Sequence, residues 1–275
     1  GKQEYKRLAN ISVSHLYNLR QTNGYRKKAL TYTKTNPRKV KIGERHRPNP
    51  QGQPGYIRVD SVHQGDSGKQ KGVYYINAVD EVTQWEVVVA VKRISESYLL
   101  NALLDLLSQF PFMIIEFHSD NGSEYINKQV AALLNKLLIQ LTKSRARQCN
   151  DNALVESKNG AVIRKWMGYA HIPQQAAKPI NQFFKGYFNL YLNCYRPSIF
   201  PEIIISPKNK EVKKYKYKNT MTPFQKLKSL PGFTKHLKPN FPLLDLETFL
   251  SNHSVNDFTE RMVNAHSRLF ADIFS

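Results

Sequence analysis

An apolar run that stops at a turn is the sequence feature that most constrains this chain. Residues 112–117 read FMIIEF, which is typical of a buried strand, and Asn121-Gly122 shortly after it is a turn signal. Asp120 therefore falls at the carboxyl end of the predicted strand. The pattern predicts a sheet that presents this carboxylate at its rim.

Two further acids have equally defined backbone settings. Glu156 follows Asn150-Asp151-Asn152, which offer helix N-caps, and the residues after it repeat their apolar positions at helical spacing. Asp60 lies in residues 56–63, where apolar residues recur as in a strand. Taken singly, each acid could equally begin a turn or favour a helix dipole. Taken together, they predict three carboxylates held on different elements.

Three segments around these acids resemble the DDE transposases and integrases, the retroviral-integrase-like superfamily with a ribonuclease H-like core. The segments are residues 59–63, VDSVH; residues 118–125, HSDNGSEY; and residues 150–159, NDNALVESKN. The likeness covers roughly residues 50–200 and looks most like bacterial insertion-sequence transposases. It implies an α/β fold with a five-stranded mixed sheet flanked by helices, in which the strands of Asp60 and Asp120 are neighbours.

The resemblance also implies that Asp60, Asp120 and Glu156 are the catalytic residues and bind two Mg²⁺ or Mn²⁺ ions. Phosphoryl transfer develops charge on the attacking and leaving oxygens, and two ions about 3.5–4 Å apart stabilise it. Mg²⁺ prefers oxygen ligands, so three carboxylates with substrate phosphates suffice. The expected reaction is DNA end cleavage and strand transfer by in-line attack of a 3′-OH. Two alternatives stay open: a nuclease on the same scaffold that only hydrolyses, and a non-catalytic DNA-binding regulator.

Positive charge is concentrated near the N-terminus. The chain has a net charge of +20, and residues 1–50 hold 13 Lys or Arg against two acids. A polyanionic partner is expected, with double-stranded DNA, as element ends and target, the first candidate. We predict a basic N-terminal DNA-binding arm at 1–50, a catalytic core at 51–197, and a basic linker with a mainly helical extension at 198–275. A helix at 12–20 in the arm fits a truncated helix-turn-helix or a plain linker equally well.

Several polar side chains are candidates for DNA contact. The loop before the Glu156 helix is mobile and touches DNA in relatives, and many insertion-sequence relatives carry Lys or Arg seven residues after the Glu. That position is Ile163 here, so the residue that grips the DNA end is open. The candidates are Arg26, Lys27, Lys28, Arg45, Arg47, Lys143, Arg145, Arg147, Lys158, Asn159, Arg164, Lys213, Lys214 and Lys216.

Other features exclude several classes of protein. No run approaches the ~18 apolar residues of a membrane span, and the basic, polar start is unlike a signal peptide. Two cysteines are too few for a disulfide framework or a zinc module. His63 and His118 are expected to be hydrogen-bonded structural residues. The resemblance implies a homo-oligomer, dimeric or higher, on DNA in the bacterial cytoplasm, associated with the nucleoid.

Overall fold

The computed structural model describes residues 11–23, 42–120, 122, 124–146, 148–206 and 211–275. The chain divides into two compact units, residues 1–39 and 40–275. Helix α1 (Val13–Gln21) of the first unit begins at Ser12, whose hydroxyl accepts a hydrogen bond of 3.2 Å from the backbone N–H of His15. None of the residues of α1 is buried. The helix predicted at 12–20 is confirmed.

A mixed sheet forms the centre of the second unit. Its strands are β1 (Glu44–Arg45), β2 (Tyr56–His63), β5 (Tyr74–Asp80), β6 (Glu86–Val91), β7 (Glu116–Ser119) and β8 (Gln140–Lys143), while β3 (Asp66–Ser67) and β4 (Gln70–Lys71) form a separate hairpin. The strand order is β1-β8-β7-β2-β5-β6. β2, β5 and β6 are an antiparallel meander, and β7 and β8 run parallel to β2. The predicted five-stranded ribonuclease H-like sheet is confirmed, with β1 as a short sixth strand.

The crossover from β6 to β7 brings the first two acids together. Helix α2 (Glu96–Ser108) joins these strands and packs against β6, which lets β7 return beside β2. In the register of this parallel pair, Val59 lies opposite Ser119. Asp60 and Asp120, one residue further on, therefore reach the same rim of the sheet.

The apolar run at 112–117 is only partly a strand. Phe112 forms an isolated bridge with Leu237, and Ile115 donates its N–H to the carbonyl oxygen of Gly55 at 2.8 Å. A Cβ at Gly55 would lie 2.4 Å from the carbonyl oxygen of Met113, so the chain requires glycine there. Regular pairing begins at Glu116, because the preceding backbone groups bond to connecting segments.

Helices cover both faces of the sheet. On one face α2 packs with α3 (Lys128–Lys136), α7 (Pro223–Lys228) and α8 (Leu243–Asn252) around a buried apolar cluster. The opposite cluster is formed by a helix with three consecutive parts, α4 (Ala153–Lys158), a π-helical segment (Asn159–Arg164) and α5 (Lys165–Met167), together with α6 (Ala177–Phe183) and α9 (Val255–Phe274).

The C-terminal extension contains a hairpin followed by helices. Strands β9 (Ser198–Ile205) and β10 (Glu211–Met221) pair antiparallel. Helix α9 buries Phe258, Met262 and Leu269 against the second cluster, as its amphipathic pattern predicts. The extension thus shares the core of the second unit. Within the described ranges, no helix has the length and apolar character needed to cross a bilayer.

Candidate active site

Asp60 lies at the centre of a cluster of carboxylates. Its Oδ1 accepts a hydrogen bond of 2.8 Å from the N–H of Ser61, and its Oδ2 accepts one of 2.7 Å from Nδ2 of Asn159. Burial raises the pKa of Asp60 to about 6; these hydrogen bonds oppose the shift, and the negative charges of Asp120 and Glu156 add to it. The three predicted acids are therefore close enough to repel one another.

Asp120 follows the last residue of β7 and is exposed. Its Oδ1 accepts a hydrogen bond of 2.8 Å from the N–H of Gly122, which orients the carboxylate at the start of the turn. Glu124 adds a further acid, because its Oε1 accepts a 3.3 Å hydrogen bond from the hydroxyl of Ser61, next to Asp60. The sequence analysis missed Glu124, although it lies within the resemblance segment at 118–125.

Glu156 is presented by the first turn of α4, and its side chain is exposed. The start of this helix is attached to β2, since Nδ2 of Asn152 donates to the carbonyl oxygen of Val59 at 3.3 Å. Arg58 donates to the carbonyl oxygen of Asp151. These two contacts hold the helix start, and with it Glu156, against the strand that carries Asp60.

The loop before α4 is closed by an ion pair. The buried carboxylate of Asp151 accepts three hydrogen bonds from Arg145: from its N–H and Nε at 3.0 Å and from Nη2 at 2.9 Å. The hydrogen bond from the Arg145 side chain is the largest influence on Asp151 and lowers its pKa to about 2. The carboxylate therefore stays ionised, and Arg145 fixes the approach to the helix as well as facing solvent.

Two residues expected to contact DNA have other partners. Asn159 lies against Asp60 and also accepts a 3.0 Å hydrogen bond from Asn77, the residue opposite Asp60 on β5. Lys158 is buried, with its Nζ 3.8 Å from Oε2 of Glu86 and 3.2 Å from the hydroxyl of Ser198. The structure corrects the expectation for Lys158, because a helical residue on the buried face cannot reach a ligand in the cleft.

Other basic candidates hold the framework of the site. Arg164 donates to the carbonyl oxygen of His63 at 2.7 Å and to Oε1 of Gln64 at 3.1 Å, which orders the end of β2. Lys143 is buried and donates to the carbonyl oxygen of Ile42. Nη1 of Arg45 donates to the carbonyl oxygen of Ser144 at 3.5 Å.

Three predicted DNA contacts meet at one cavity. Its volume is about 580 Å³, and Arg47, Arg145 and Lys213 line it beside the start of α4. Arg58, which the sequence analysis missed, lines it too. On the β9–β10 hairpin, Lys216 forms an ion pair of 2.5 Å with Glu202, and Lys214 is exposed. The remaining candidates lie outside the described residues: Arg26, Lys27, Lys28 and Arg147.

The π-helical segment determines where the residues after Glu156 lie. Ile163, seven residues after the glutamate, is fully buried in the second cluster and does not face the cleft. A Cβ at Gly160 would meet no atom within 4 Å, so this glycine does not serve close helix packing. Its surface is open beside the acid cluster.

His63 and His118 have structural surroundings. His118 is buried, bonded to the hydroxyls of Thr142 at 2.8 Å and Ser144 at 3.2 Å, and burial lowers its pKa to about 3. Nε2 of His63 lies 3.0 Å from Oδ1 of Asp66. Neither contact involves the three predicted acids.

The donor chemistry of the site fits a hard divalent cation. Among the described residues, no group of three His, Cys, Asp or Glu is arranged closely enough to hold a metal ion as it stands. The predicted ligands are all carboxylates, however, and oxygen ligands of this kind are what Mg²⁺ prefers. Asp120 and Glu156 are exposed, so their side chains have freedom to turn toward such an ion.

Comparison with known proteins identifies the family of the central region. Residues 50–149 match the integrase core domain. A stretch of 146 residues is 33% identical to the uncharacterized protein y4rM of Sinorhizobium fredii (strain NBRC 101917 / NGR234), covering 53% of this chain and 42% of that protein. This chain thus matches less than half the length of that relative.

Three solved structures with similar chains are of viral integrases. The simian T-cell lymphotropic virus intasome in complex with PP2A regulatory subunit B56 gamma is 16% identical, with 88% of this chain and 73% of that chain covered and a TM-score of 0.43. The catalytic core domain of BIV integrase is 16% identical, with 52% of this chain and 85% of that chain covered and a TM-score of 0.37. The HTLV-2 integrase catalytic core domain in complex with magnesium is 16% identical, with 53% of this chain and 90% of that chain covered and a TM-score of 0.39. The match over residues 50–149 and the strand order both point to an integrase core. The central region of this chain is therefore similar to the integrase core domain of the DDE transposase and integrase superfamily.

Proposed function

We propose that this protein is a DDE-type DNA transposase or integrase that cleaves element ends and joins a 3′-OH to target DNA. The observation that supports it is the convergence of Asp60, Asp120 and Glu156: the charges of Asp120 and Glu156 act on Asp60, and the two aspartates lie in the region that matches the integrase core domain. A strand, a strand end and a first helical turn supply them. Carboxylates from separate elements are what metal-assisted phosphoryl transfer requires.

In this proposal Asp60, Asp120 and Glu156 hold two Mg²⁺ or Mn²⁺ ions, which when bound stabilise the charge on the attacking and leaving oxygens. Asn159 orients Asp60 through its 2.7 Å hydrogen bond. The cavity lined by Arg47, Arg58, Arg145 and Lys213, whose positive charges outnumber those of Glu81 and Asp151 in the same lining, binds a DNA phosphate. Each of these roles belongs to a residue whose position is described above.

The partners are double-stranded DNA, as element ends and target, and further copies of the chain. The net charge of +20 supports a polyanion. Catalysis on two DNA ends would be coordinated by a homo-oligomer, a dimer or larger. The relative from Sinorhizobium fredii supports a bacterial setting, and we place the protein in the cytoplasm with the nucleoid.

One incubation distinguishes the three candidate functions. The protein is mixed with Mn²⁺, labelled candidate element ends and a target plasmid, with the Asp120→Asn variant as control. Joined products that the variant does not form are the expected result. Cleaved but unjoined DNA would favour a nuclease on this scaffold, and binding without cleavage in Mn²⁺ or Mg²⁺ would favour a regulator.

A further inference from the structure

A second polar cavity lies beyond the acid cluster, near the end of β2. Its volume is about 590 Å³, and the β3–β4 hairpin, the start of β5, the segment after β6 and residues 171–175 line it. Three of the lining residues are the cations Lys69, Lys71 and Arg93, and His171 is a fourth basic group. None of the lining residues, all of which the structure describes, is an acid. The composition favours an anionic ligand.

The acid near this cavity does not cancel the positive charge of the cations that line it. Asp66 is near, with its carboxylate 3.0 Å from Nε2 of His63 and 3.9 Å from Nζ of Lys71. It is 42% exposed, so solvent weakens its effect on the cations. The side chain of Arg93 is exposed and lies 3.5 Å from Oε1 of Gln174, a neutral partner.

The start of helix α2 adds donors to the same cavity. Ser95, at the N-cap position, lines the cavity, and its side chain makes no cap hydrogen bond. The N–H groups of a first helical turn have no partner within the helix, and the helix dipole favours negative charge there. The cavity therefore combines mobile cationic side chains with fixed backbone donors.

The position of the cavity relative to the acids suggests the anion. His63 follows Asp60 by three residues on β2, and its ring stacks on Tyr74, a lining residue, with 4.3 Å between ring centroids. A strand rises about 3.3 Å per residue, so the cavity begins about 10 Å from Asp60 along β2. One DNA strand carries a phosphate about every 3.4 Å along the helix axis, and because the strand winds around that axis its phosphates are further apart through space, so this distance corresponds to about one or two phosphates.

We propose that this cavity binds the backbone of a DNA strand about one or two phosphates from the phosphate that reacts at the acid cluster. The inference rests on the proposed function for the location of the reacting phosphate. Binding of the backbone itself depends only on the cations and the helix start. This surface is separate from the cavity that Arg47 and Arg145 line.

The test compares two triple variants with the same change in charge. Lys69→Gln/Lys71→Gln/Arg93→Gln removes the cavity cations, and Lys136→Gln/Lys178→Gln/Arg268→Gln removes three exposed cations elsewhere. DNA affinity is measured without divalent metal over a range of salt. The slope of log K against log[salt] should fall by about 2–3 in the cavity variant and by less than about 1 in the control, since each neutralised phosphate contributes about 0.9. Equal slopes in the two variants would overturn the proposal.

A photocrosslinker at Gln70 tests the predicted distance. Crosslinks about one or two phosphates from the Mn²⁺-dependent cleavage point are expected, and none to DNA at all would contradict the inference. Inorganic phosphate and a nucleoside triphosphate serve as competing ligands. If either binds the wild type in place of DNA while the DNA salt slope is the same in both triple variants, the cavity is a small-anion site and the DNA proposal fails.

These measurements separate this inference from the proposed function. A smaller salt slope of DNA binding in the cavity variant, in a protein that forms no joined products, would support the cavity as a DNA site and count against the transposase. Joined products from a protein whose cavity variant binds like the control would support the transposase and overturn the cavity.

Discussion

Asn159 donates a hydrogen bond of 2.7 Å from Nδ2 to Oδ2 of Asp60, and its Oδ1 accepts one of 3.0 Å from Asn77 on the neighbouring strand. The second bond fixes which end of the Asn159 amide faces Asp60. The helix of Glu156 thereby orients the carboxylate of the central strand. Asn159 is a positioning residue of the acid cluster, one turn beyond the glutamate.

The first prediction concerns this contact. Asn159→Leu keeps the volume but removes the donor, so metal-dependent cleavage should fall by about 10–100-fold and require more Mn²⁺, as for other residues that orient metal ligands. DNA affinity should not change. Ser157→Ala, on the same helix and exposed, is the control. An unchanged Mn²⁺ titration with Asn159→Leu would show that Asp60 does not need this partner.

The acids themselves give the second prediction. Asp120→Asn and Glu156→Gln should abolish cleavage and joining, because the amide is a poor metal ligand, while DNA affinity stays within a few-fold. Glu260→Gln, an exposed acid on α9, is the matched control. Activity retained by either cluster variant would overturn the assignment of that residue.

The buried ion pair of Lys158 and Glu86 gives the third prediction. Lys158→Met leaves Glu86 buried without its partner, and removal of one member of a buried pair costs about 3–5 kcal/mol of unfolding free energy. Urea unfolding measures this loss, and the double variant Lys158→Met/Glu86→Leu should recover part of it. The salt slope of DNA binding should be unchanged. A stable Lys158→Met protein with a slope reduced by about 1 would instead make Lys158 a DNA contact.

The N-terminal arm gives the fourth prediction, with a boundary that the structure corrects. The predicted arm at 1–50 includes a strand, because β1 at Glu44–Arg45 pairs with β8. Deletion of residues 1–39, which hold ten Lys or Arg and one acid, should leave the melting temperature of the second unit unchanged. Deletion of 1–47 should lower it.

Both deletions should flatten the salt dependence of DNA binding. A loss of about five phosphate contacts reduces the slope by about 4–5. If the protein without residues 1–39 kept the full slope, the arm would not bind DNA. The DNA path would then run along Lys213, Lys214 and Lys216 and the two basic cavities.

The fifth prediction concerns Asp80, which is fully buried at the end of β5. Burial raises its pKa to about 6, against hydrogen bonds from the N–H groups of Gly55, Val82 and Thr83 and the Thr83 hydroxyl. Between pH 4 and 6 the unfolded chain therefore binds fewer protons at this site than the folded one, so the contribution of Asp80 to stability falls as pH rises. The shift corresponds to about 3 kcal/mol.

The Asp80→Asn variant isolates this contribution because it does not titrate. The difference in unfolding free energy between wild type and Asp80→Asn should decline by about 3 kcal/mol from below pH 4 to above pH 6. Urea unfolding at several pH values measures it. A constant difference would mean that the four hydrogen bonds hold Asp80 ionised at its ordinary pKa.

The positions of Asp60, Asp120 and Glu156 on their elements were predictable because each stands at a boundary with a local signal. Alternating apolar residues identify β2, Asn121-Gly122 follows the end of β7, and Asn152 precedes α4. The neighbouring placement of β2 and β7 came from the family resemblance and is confirmed by the strand order. The pairing of two strands that are far apart in the sequence does not show in the local periodicity of either strand.

The wrong predictions involve contacts between residues that are far apart in the sequence. Nothing near Phe112 indicates that its backbone pairs with Leu237 rather than with β2, so the predicted strand began too early. Lys158 was a candidate for DNA contact because it lies near Glu156 in the sequence, although its partner Glu86 lies on β6. A buried lysine becomes recognisable only when the acid that compensates it is placed in space.

The π-helical segment after Glu156 has a consequence for how related chains are aligned. Its backbone hydrogen bonds span five residues rather than four, so it acts as a single-residue insertion that needs no loop. A count of residues from the glutamate is therefore out of phase with a regular α-helix beyond Gly160. Counting seven residues from Glu156 reaches the buried side of this helix, at Ile163. Superposition on the backbone, rather than counting along the chain, identifies the equivalent position.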